Sequence, residues 1–347
     1  MNVLVDLSVV ADALMFKKFI ETLRTRGHRV LVTYRGIREL HNVQLGLGLE
    51  GVLCGGYGHD LESKLLASSR RIAAMADLVH IFLEGKLDAV VSNTGVEACR
   101  VGFGLAARVH TFWDHPQAIP QAKLTLPLSS YVYYPWTIDD RCLEEHGVSA
   151  DRRVPYRGFL HLAWVRDFPV NESIVADLGL NPDQSVILFR HSETGAAYLF
   201  GRKDITIDAV TFLAKQHPEC QFVTKLRYRT DDPRELFRGL RNVHVYDRFI
   251  DLQSLVAKAS LVVGGGATIN LEASFYGVPI IACRQIDSPI DDFLSRNGFA
   301  FKASTVQDVV EHFNETDLDE KRVAHAEAVY HDMRFPLDKL IMNVEAR

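Results

Sequence analysis

The sequence lacks a long hydrophobic run and an excess of basic residues, and each absence excludes a class of protein. No stretch of about 18 consecutive apolar residues occurs, so no segment is expected to cross a membrane as a helix. The net charge is −5 over 347 residues, whereas a nucleic-acid-binding surface usually needs a basic excess. We therefore expect neither a nucleic-acid partner nor a transmembrane segment.

Cysteine is scarce, and the spacings typical of metal and redox motifs are missing. There is no Cys-x-x-Cys pair and no His-Glu-x-x-His spacing, so we expect reduced thiols in a cytoplasmic protein and no metal site. The first residues, MNVLVDLSVV, lack a basic region and include Asp6, which predicts a strand rather than a signal peptide. The cysteines are Cys54, Cys99, Cys142, Cys220 and Cys283.

What the sequence does contain is a regular alternation of short apolar runs with amphipathic segments. The apolar runs include NVLVDL, HRVLVTY, DAVVSN, SVILFR, QFVTKL and LVVGG. Strict alternation of strand and helix predicts parallel strands joined by right-handed crossovers. The expected fold class is α/β, with two Rossmann-like parallel-sheet domains facing a central cleft. Ligands of such sheets bind beyond the carboxyl ends of the strands, so those positions are the candidate sites.

Chain length and a break in the alternation predict two domains. A domain has about 150 residues on average, so 347 residues are typical of two. The segment EEHGVSADRRVPYRGFLHLAWVRDFPVNES mixes charge, proline and glycine and is interpreted as the connection between them. The predicted divisions are an N-terminal domain over 1–160, a C-terminal domain over 161–325, and a C-terminal helix over 326–347 that returns to the N-terminal domain.

The segment LVVGGGATINLEASFYGVPIIAC, residues 261–283, places three glycines and one acid between two apolar runs. The glycines at 264–266 let the backbone approach a ligand without an intervening Cβ. The start of the following helix, for which Thr268 or Asn270 is the expected cap, favours an anion such as phosphate. Glu272 would accept hydrogen bonds from the vicinal hydroxyls of a ribose. The alternative is a tight turn in which Glu272 only complements the helix dipole.

The longer segment YDRFIDLQSLVAKASLVVGGGATINLEASFYGVPII resembles the donor-site region of GT-B glycosyltransferases and of nucleotide-sugar 2-epimerases. It is closest in form to the lipid-linked N-acetylglucosaminyltransferase of murein synthesis. The shared order is Phe-Ile-Asp, helix, strand, glycine-rich turn, Glu and Gly-x-Pro. The whole chain also resembles a largely archaeal, GT-B-like family of unknown function, through FKKFIETLRTRGHRVLVTYR, TLPLSSYVYYP, YRGFLHLAWV and the glycine loop.

This resemblance implies a nucleotide-sugar donor site on the 161–325 domain and an acceptor site on the 1–160 domain. Phe249 and Ile250 would place main-chain groups against the nucleobase, and Glu272 would hold the ribose. Asp291 and Asp292 fall where the murein enzyme has a glutamine pair that reads sugar hydroxyls, and this departure leaves the sugar open. The turn that would cradle the diphosphate comprises Gly264, Gly265, Gly266, Ala267 and Thr268.

Two other strand ends of the second half carry basic side chains. VILFRHSETGAAY places Arg190, His191 and Ser192 directly after a strand. A guanidinium binds a diphosphate bidentately, whereas the alternative for Arg190 is a surface pair with Glu193. Lys225 ends the neighbouring strand and would add positive charge to the same site.

The strand ends of the first half carry the catalytic candidates. In VHTFWDHPQA, Asp114 stands beside His115, and either group would serve as the general base that takes a proton from an attacking hydroxyl. The alternative is an aspartate that caps a turn and a histidine packed under the domain interface. Glu97, with Asn93 and Thr94, follows another strand, would line the acceptor side and is the third candidate base.

The residues and the resemblance together favour a metal-independent GT-B-type glycosyltransferase that moves a sugar from a nucleotide-sugar to a hydroxyl. Arg190, Lys225 and the helix start would stabilise the departing diphosphate. A UDP-type donor is favoured, with no other cofactor, and a lipid-linked acceptor with peripheral membrane contact is one possibility. The oligomeric state stays open. The alternatives are a nucleotide-sugar 2-epimerase, whose first-strand Arg-Pro-Glu-type motif is missing here, and a non-catalytic nucleotide-sugar-binding protein.

Overall fold

The chain forms two units, each built on its own parallel sheet. The first unit comprises Met1–Trp164 with Met333–Arg347, and the second comprises Val165–Asp332. The structure is a computed structural model that describes residues 1–58, 60–191, 204–226, 234–283 and 286–346.

Within the described residues, the sheet of the first unit has seven strands. They are β1 (Asn2–Leu7), β2 (Arg29–Tyr34), β3 (Val52–Leu53), β4 (Ala89–Asn93), β5 (Arg108–Phe112), β6 (Tyr131–Pro135) and β7 (Arg153–Tyr156). Their order is β3-β2-β1-β4-β5-β6-β7, and adjacent strands are parallel. The central strand β1 is buried on both faces, as its continuous apolar run predicts for a sheet covered by helices.

The sheet of the second unit has six strands within the described residues. They are β8 (Val186–Arg190), β9 (Gln221–Lys225), β10 (Val243–Tyr246), β11 (Leu261–Gly264), β12 (Ile280–Ala282) and β13 (Ala300–Lys302). Their order is β10-β9-β8-β11-β12-β13, again with parallel neighbours. Both sheets therefore reverse their strand order next to their first strand, which is the doubly wound pattern. The predicted α/β class with two parallel-sheet domains is confirmed.

Helices alternate with these strands along the chain. The first, α1, begins at Val10 and carries buried Leu14, Phe19, Ile20 and Leu23 on one side, as its spacing predicts. In the first unit the helices are α1 (Val10–Thr25), α2 (Arg38–Gly46), α3 (Leu61–Leu83), α4 (Val96–Gly104), α5 (Ile119–Thr125), α6 (Asp140–Glu144) and α14 (Leu337–Glu345). In the second they are α7 (Ile174–Asp177), α8 (Thr206–Gln216), α9 (Leu252–Lys258), α10 (Ala267–Phe275), α11 (Pro289–Arg296), α12 (Val306–Glu315) and α13 (Val323–Tyr330).

The segment interpreted as an interdomain connection contains a strand that the sequence pattern did not predict. Strand β7 lies inside it and pairs with β6 through Val154 and Tyr133. Pro155 is exposed in β7, and proline is tolerated there because an edge strand can lack one ladder N–H group. Four residues are too few to show the apolar–polar alternation of a strand. The pattern of the surrounding charged and proline-containing segment therefore concealed β7.

The last helix, α14, belongs by its contacts to the first unit. Arg108 at the start of β5 donates through Nη2 to the carbonyl oxygen of Val344 at 2.9 Å and through Nη1 to that of Asn343 at 3.2 Å. Because the last carbonyls of a helix have no partner within the helix, a guanidinium at this position stabilises the helix end.

Candidate functional site

In the second unit the strand order reverses between β8 and β11, and the glycine turn lies at this point. Gly264 pairs in register with Arg190, and the N–H of Gly265 donates to the carbonyl oxygen of Arg190 at 3.0 Å. A Cβ on Gly264 would lie 2.1 Å from that same oxygen, and the φ of Gly264 is +155°. Only glycine therefore fits here, because the two strand ends approach too closely for a side chain.

Helix α10 begins directly after this turn, with Gly266 as its N-cap and no side-chain cap. The expectation that Thr268 or Asn270 caps the helix was wrong, because both residues lie within α10. The side chain of Asn270 is fully buried, while Thr268 is exposed. The first N–H groups of an uncapped helix have no intrahelical acceptor, so this end of α10 can bind an anion.

The basic candidates gather at the same edge of the sheet. Arg190 is 8% exposed, and its Nη1 donates to the carbonyl oxygen of Lys225 at 3.0 Å. His191 follows Arg190 in the chain, and Lys225 ends the neighbouring strand β9; both side chains are buried. Ser192 lies outside the described residues. Arg190 and a helix start thus adjoin one glycine turn, and Lys225 ends the strand next to that of Arg190. This combination can neutralise the charge that develops on a departing diphosphate.

The residues predicted to bind the nucleoside lie farther along α10 and directly before α9. Glu272 is 5% exposed, Ile250 is 6% exposed, and Phe249 is 56% exposed. The next residue, Asp251, caps α9 by accepting the backbone N–H of Ser254 at 3.0 Å, which anchors the 249–250 segment. An exposed aromatic ring next to anchored main chain is suited to binding a planar base.

Asp291 and Asp292 each have a structural partner. The Ser288 hydroxyl donates to Asp291 Oδ2 at 2.5 Å, and the Asp291 N–H donates to Ser288 Oγ at 3.1 Å, so these two residues cap the start of α11. Asp292 Oδ1 accepts a charge-assisted bond from Lys302 Nζ at 3.0 Å. This helix start, with Ser288 at the N-cap and Pro289 at the first helical position, was not predicted.

In the first unit the strand order reverses between β1 and β4, and a buried ion cluster lies there. Arg71 of α3 is fully buried and contacts Asp6 of β1 with N–O distances of 2.5 and 3.1 Å. Its Nη1 also reaches Glu97 of α4 at 3.1 Å, and Arg35 reaches the same Glu97 oxygen at 3.4 Å. Burial raises the pKa of Glu97, but the two guanidinium groups outweigh burial and lower it. Arg71 was missed in the sequence, where nothing local distinguishes it from its neighbour Arg70.

A second acid, Asp12, lies in the first turn of α1 at the same edge. Its carboxylate accepts the backbone N–H groups of Ser8 at 2.7 Å and Val9 at 3.0 Å, and the side-chain amide of Asn93 at 3.1 Å. Burial raises the pKa of Asp12 to about 7, although these three donors act in the opposite direction. Thr94, next to Asn93, has a φ of +47°, which is strained for a β-branched residue. Backbone strain of this kind concentrates at functional sites.

Asp114 and His115 follow β5 at this edge. Asp114 is 9% exposed, and its Oδ1 lies 3.8 Å from His115 Nε2. Burial and then the charge of Asp114 raise the pKa of Tyr156 well above its usual range. The Tyr156 ring packs edge-on against Phe112, with ring centroids 6.3 Å apart. The structure thus brings a carboxylate, an imidazole and a neutral phenol together within the first unit.

A metal site and a membrane-spanning helix would each be recognisable in the described part of the chain. Across those residues, no group of three or more His, Cys, Asp or Glu side chains is arranged to hold a metal ion. Within the same ranges, no helix is both long enough and apolar enough to cross a membrane.

Comparison with known proteins gives a family, one curated relative and similar folds. A family model described as "Protein of unknown function (DUF354)" matches residues 1–337. The uncharacterized protein MJ0665 of Methanocaldococcus jannaschii is 27% identical over 288 residues, which is 82% of either chain. A UDP-GlcNAc 2-epimerase from Neisseria meningitidis bound to UDP-GlcNAc is 15% identical with a TM-score of 0.66, over 99% of both chains. The spinosyn forosaminyltransferase SpnP is 17% identical with a TM-score of 0.65, over 100% of both.

Proposed function

This chain belongs to the DUF354 family of proteins of unknown function, and from that premise we propose that it is a metal-independent glycosyltransferase with a nucleotide-sugar donor. The observation that carries the proposal is the glycine turn of the second unit. There the uncapped start of α10 meets Arg190 at the reversal of strand order. The fold is GT-B-like, shared with glycosyltransferases and with UDP-GlcNAc 2-epimerases.

The donor binds to the second unit in this proposal. Its diphosphate lies against the turn formed by Gly264, Gly265 and Gly266 and accepts N–H groups of α10. Arg190 and Lys225 stabilise the charge on the leaving group, so a metal ion is not needed for that task. Glu272 accepts hydrogen bonds from the ribose, and the segment at Phe249 and Ile250 receives the base. A UDP-type donor is favoured because a similarly folded protein is known with UDP-GlcNAc bound.

The general base is proposed from the first unit. Asp114 takes the proton of the acceptor hydroxyl, and His115, 3.8 Å away, supports its charge. Glu97 ranks behind Asp114, because ion pairs with Arg35 and Arg71 lower its pKa and make it a weaker base. The ion pairs of Glu97 favour a role in holding the βα turns at the carboxyl end of this sheet in place.

A second candidate function is sugar epimerisation, and a specific observation favours it. Three buried acids, Asp6, Asp12 and Glu97, lie at one sheet edge, and epimerisation at C2 needs groups that remove and return a proton. Asp12, with its pKa raised to about 7, titrates where acid–base catalysis is most effective. The fold of a 2-epimerase covers nearly the whole chain.

A product assay separates these functions. UDP- and GDP-sugars are incubated with the protein, with and without sugar and polyprenyl-phosphate acceptors. Nucleotide release that depends on an acceptor supports transfer, whereas conversion of the donor to its C2 epimer supports epimerisation. Binding without turnover under all conditions supports the non-catalytic protein.

Calorimetry tests the donor site itself. Glu272→Ala should weaken UDP or GDP binding by about 1–3 kcal/mol, because a charge-assisted hydrogen-bond pair is lost. Glu235→Ala is the matched control, since this side chain is 83% exposed in the same unit. Equal nucleotide affinity in both variants would leave Glu272 with a purely structural role.

A further inference from the structure

Tyr276 occupies a position that the donor site described above does not use. It directly follows α10, four residues after Glu272, so the two side chains lie on the same side of the helix. The Tyr276 N–H donates to the carbonyl oxygens of Glu272 at 3.3 Å and Ala273 at 3.1 Å, which continues the helical spacing. Its aromatic ring packs edge-on against Phe275, with centroids 5.5 Å apart.

The hydroxyl oxygen of Tyr276 is buried and has no hydrogen-bond partner within the described ranges of the chain. Leaving a buried hydroxyl unpaired costs free energy, so a ligand group that pairs with this phenol would be stabilised by it. Burial, and then the charges of Glu272 and Asp251, raise the pKa of Tyr276 to about 12. The phenol is therefore neutral near pH 7 and able to donate a hydrogen bond.

Both nearby carboxylates restrict what that partner can be. Asp251 is engaged by Ser254, which donates its N–H to Oδ1 at 3.0 Å and its hydroxyl to Oδ2 at 2.5 Å. Glu272 is the acid to which the proposed function assigns the ribose. A ribose hydroxyl placed between Glu272 and Tyr276 would donate to the carboxylate and accept from the phenol.

The position of Tyr276 along the helix selects one of the two ribose hydroxyls. The diphosphate lies at the start of α10, and Tyr276 lies four residues, or about 6 Å of helix rise, beyond Glu272. Within a nucleoside, the 2′-hydroxyl is the one adjacent to the carbon that bears the base and farther from the 5′-phosphate. The charge of Asp251, which follows the proposed base-binding segment, also acts on Tyr276.

We propose that Tyr276 is a specificity-determining residue that donates to the 2′-hydroxyl of the donor ribose, so that the site selects ribonucleotides over 2′-deoxyribonucleotides. This inference rests on the proposed donor site in the second unit. The recognised chemistry is a vicinal diol held by one carboxylate and one neutral phenol.

The test is calorimetric binding of UDP, 2′-deoxy-UDP, GDP and 2′-deoxy-GDP to the full chain. For the nucleobase that binds, the unchanged protein should prefer the ribonucleotide by about tenfold or more, as expected when a buried polar group is left unpaired. Tyr276→Phe should reduce that preference to within about twofold, mainly by weakening ribonucleotide binding. Tyr246→Phe is the matched control, because its hydroxyl is already engaged by the Leu178 carbonyl at 2.8 Å in the same unit.

The outcomes separate this inference from the proposed function. An unchanged preference in Tyr276→Phe, or no preference in the unchanged protein, overturns the role of Tyr276 while nucleotide binding itself stands. Binding of neither UDP nor GDP overturns the donor site as well. The melting temperature of Tyr276→Phe gives an independent reading, since loss of an unpaired hydroxyl should not lower it. A clear fall would show that the hydroxyl bonds within the protein and would also overturn the proposal.

Discussion

At the scale of single residues, the two acids around the first βα turn have opposite surroundings. Asp6 and Asp12 are both fully buried. Asp6 meets the guanidinium of Arg71 at 2.5 Å, whereas the donors that Asp12 meets in the described residues are neutral N–H groups. Burial disfavours the charged form of an acid unless a cation compensates, which explains the raised pKa of Asp12.

Asp12 should therefore make stability depend on pH. Its folded-state pKa of about 7 lies above the ordinary value of 3.8, so the unfolded chain ionises first. The free energy of unfolding should fall as pH rises from about 4 to about 7, and the loss should persist above that range. Asp12→Asn removes this titration and should be more stable than the unchanged protein at pH 8, where Asn93 can turn its amide to accept from the new one.

Urea unfolding of both proteins at pH 4 and pH 8 measures this effect. The stability difference between variant and unchanged protein should grow in favour of the variant with pH. A difference that stays constant with pH, or that shifts against the variant, would mean that the three donors to Asp12 outweigh its burial.

Asp114 is the residue at which chemistry and binding can be separated. Asp114→Asn keeps the shape but cannot accept a proton, so turnover should fall by roughly 10²–10⁴ while nucleotide affinity is unchanged. His115→Gln tests the alternative base, and Asp77→Asn on the exposed side of α3 is the control. Full activity in both variants would leave Glu97 as the next candidate.

At the scale of elements, the β11–α10 junction depends on backbone contact rather than on side chains. The end of β11 lies against the carbonyl group of Arg190, and α10 begins three residues after the Gly264 pair. Such a short junction places the helix start close to the strand ends. In the proposed function, this proximity would allow one ligand to contact both the turn and the basic side chains of β8 and β9.

Gly264→Ala should disrupt this junction. The new Cβ would meet the Arg190 carbonyl oxygen at 2.1 Å, so β8 and β11 must separate, and we expect a loss of more than about 2 kcal/mol of unfolding free energy. Gly298→Ala is the matched control, because Gly298 has a φ of +70° with open space around it and should lose only about 1–2 kcal/mol. If chemical denaturation showed the same loss of unfolding free energy in both variants, the close contact between Gly264 and Arg190 would be contradicted.

At the scale of the whole molecule, the tryptophans are confined to one unit. Trp113, Trp136 and Trp164 all lie in the first unit, whereas the proposed nucleotide site lies in the second. Tryptophan fluorescence therefore reports unfolding of the first unit, and calorimetry reports both. Chains with two units commonly depart from two-state unfolding, so the two observables need not coincide.

UDP at 100 times its Kd should stabilise the second unit by about 2.7 kcal/mol. We expect the calorimetric transition of that unit to move upward while the melting curve of tryptophan fluorescence stays in place. Titration with UDP during thermal scans measures both signals. An equal upward shift of fluorescence and calorimetry would show that the units unfold as one cooperative body.

The predictable part of the fold was the part expressed in local patterns. Apolar runs alternate with amphipathic helices, and this alternation predicted two parallel sheets. One such run, residues 3–5 of β1, is fully buried. The edge strand β7 escaped prediction because its four residues include Pro155 within a charged segment. The Ser288–Asp291 cap was not predicted, because the resemblance implies a sugar-binding role for the same aspartate.

By itself the sequence determined the α/β class, the glycine turn and the polar residues that follow each strand, because strand period, helix period and glycine conformation are local properties. Only the tertiary structure decided which of those residues meet. Arg71 reaches Asp6 across 65 positions, and Arg190 reaches the carbonyl of Lys225 across 35. Long-range pairing is set by strand order and helix packing. The same physics separates Glu97, with its pKa lowered by two arginines, from Asp12, with its pKa raised by burial without a cation.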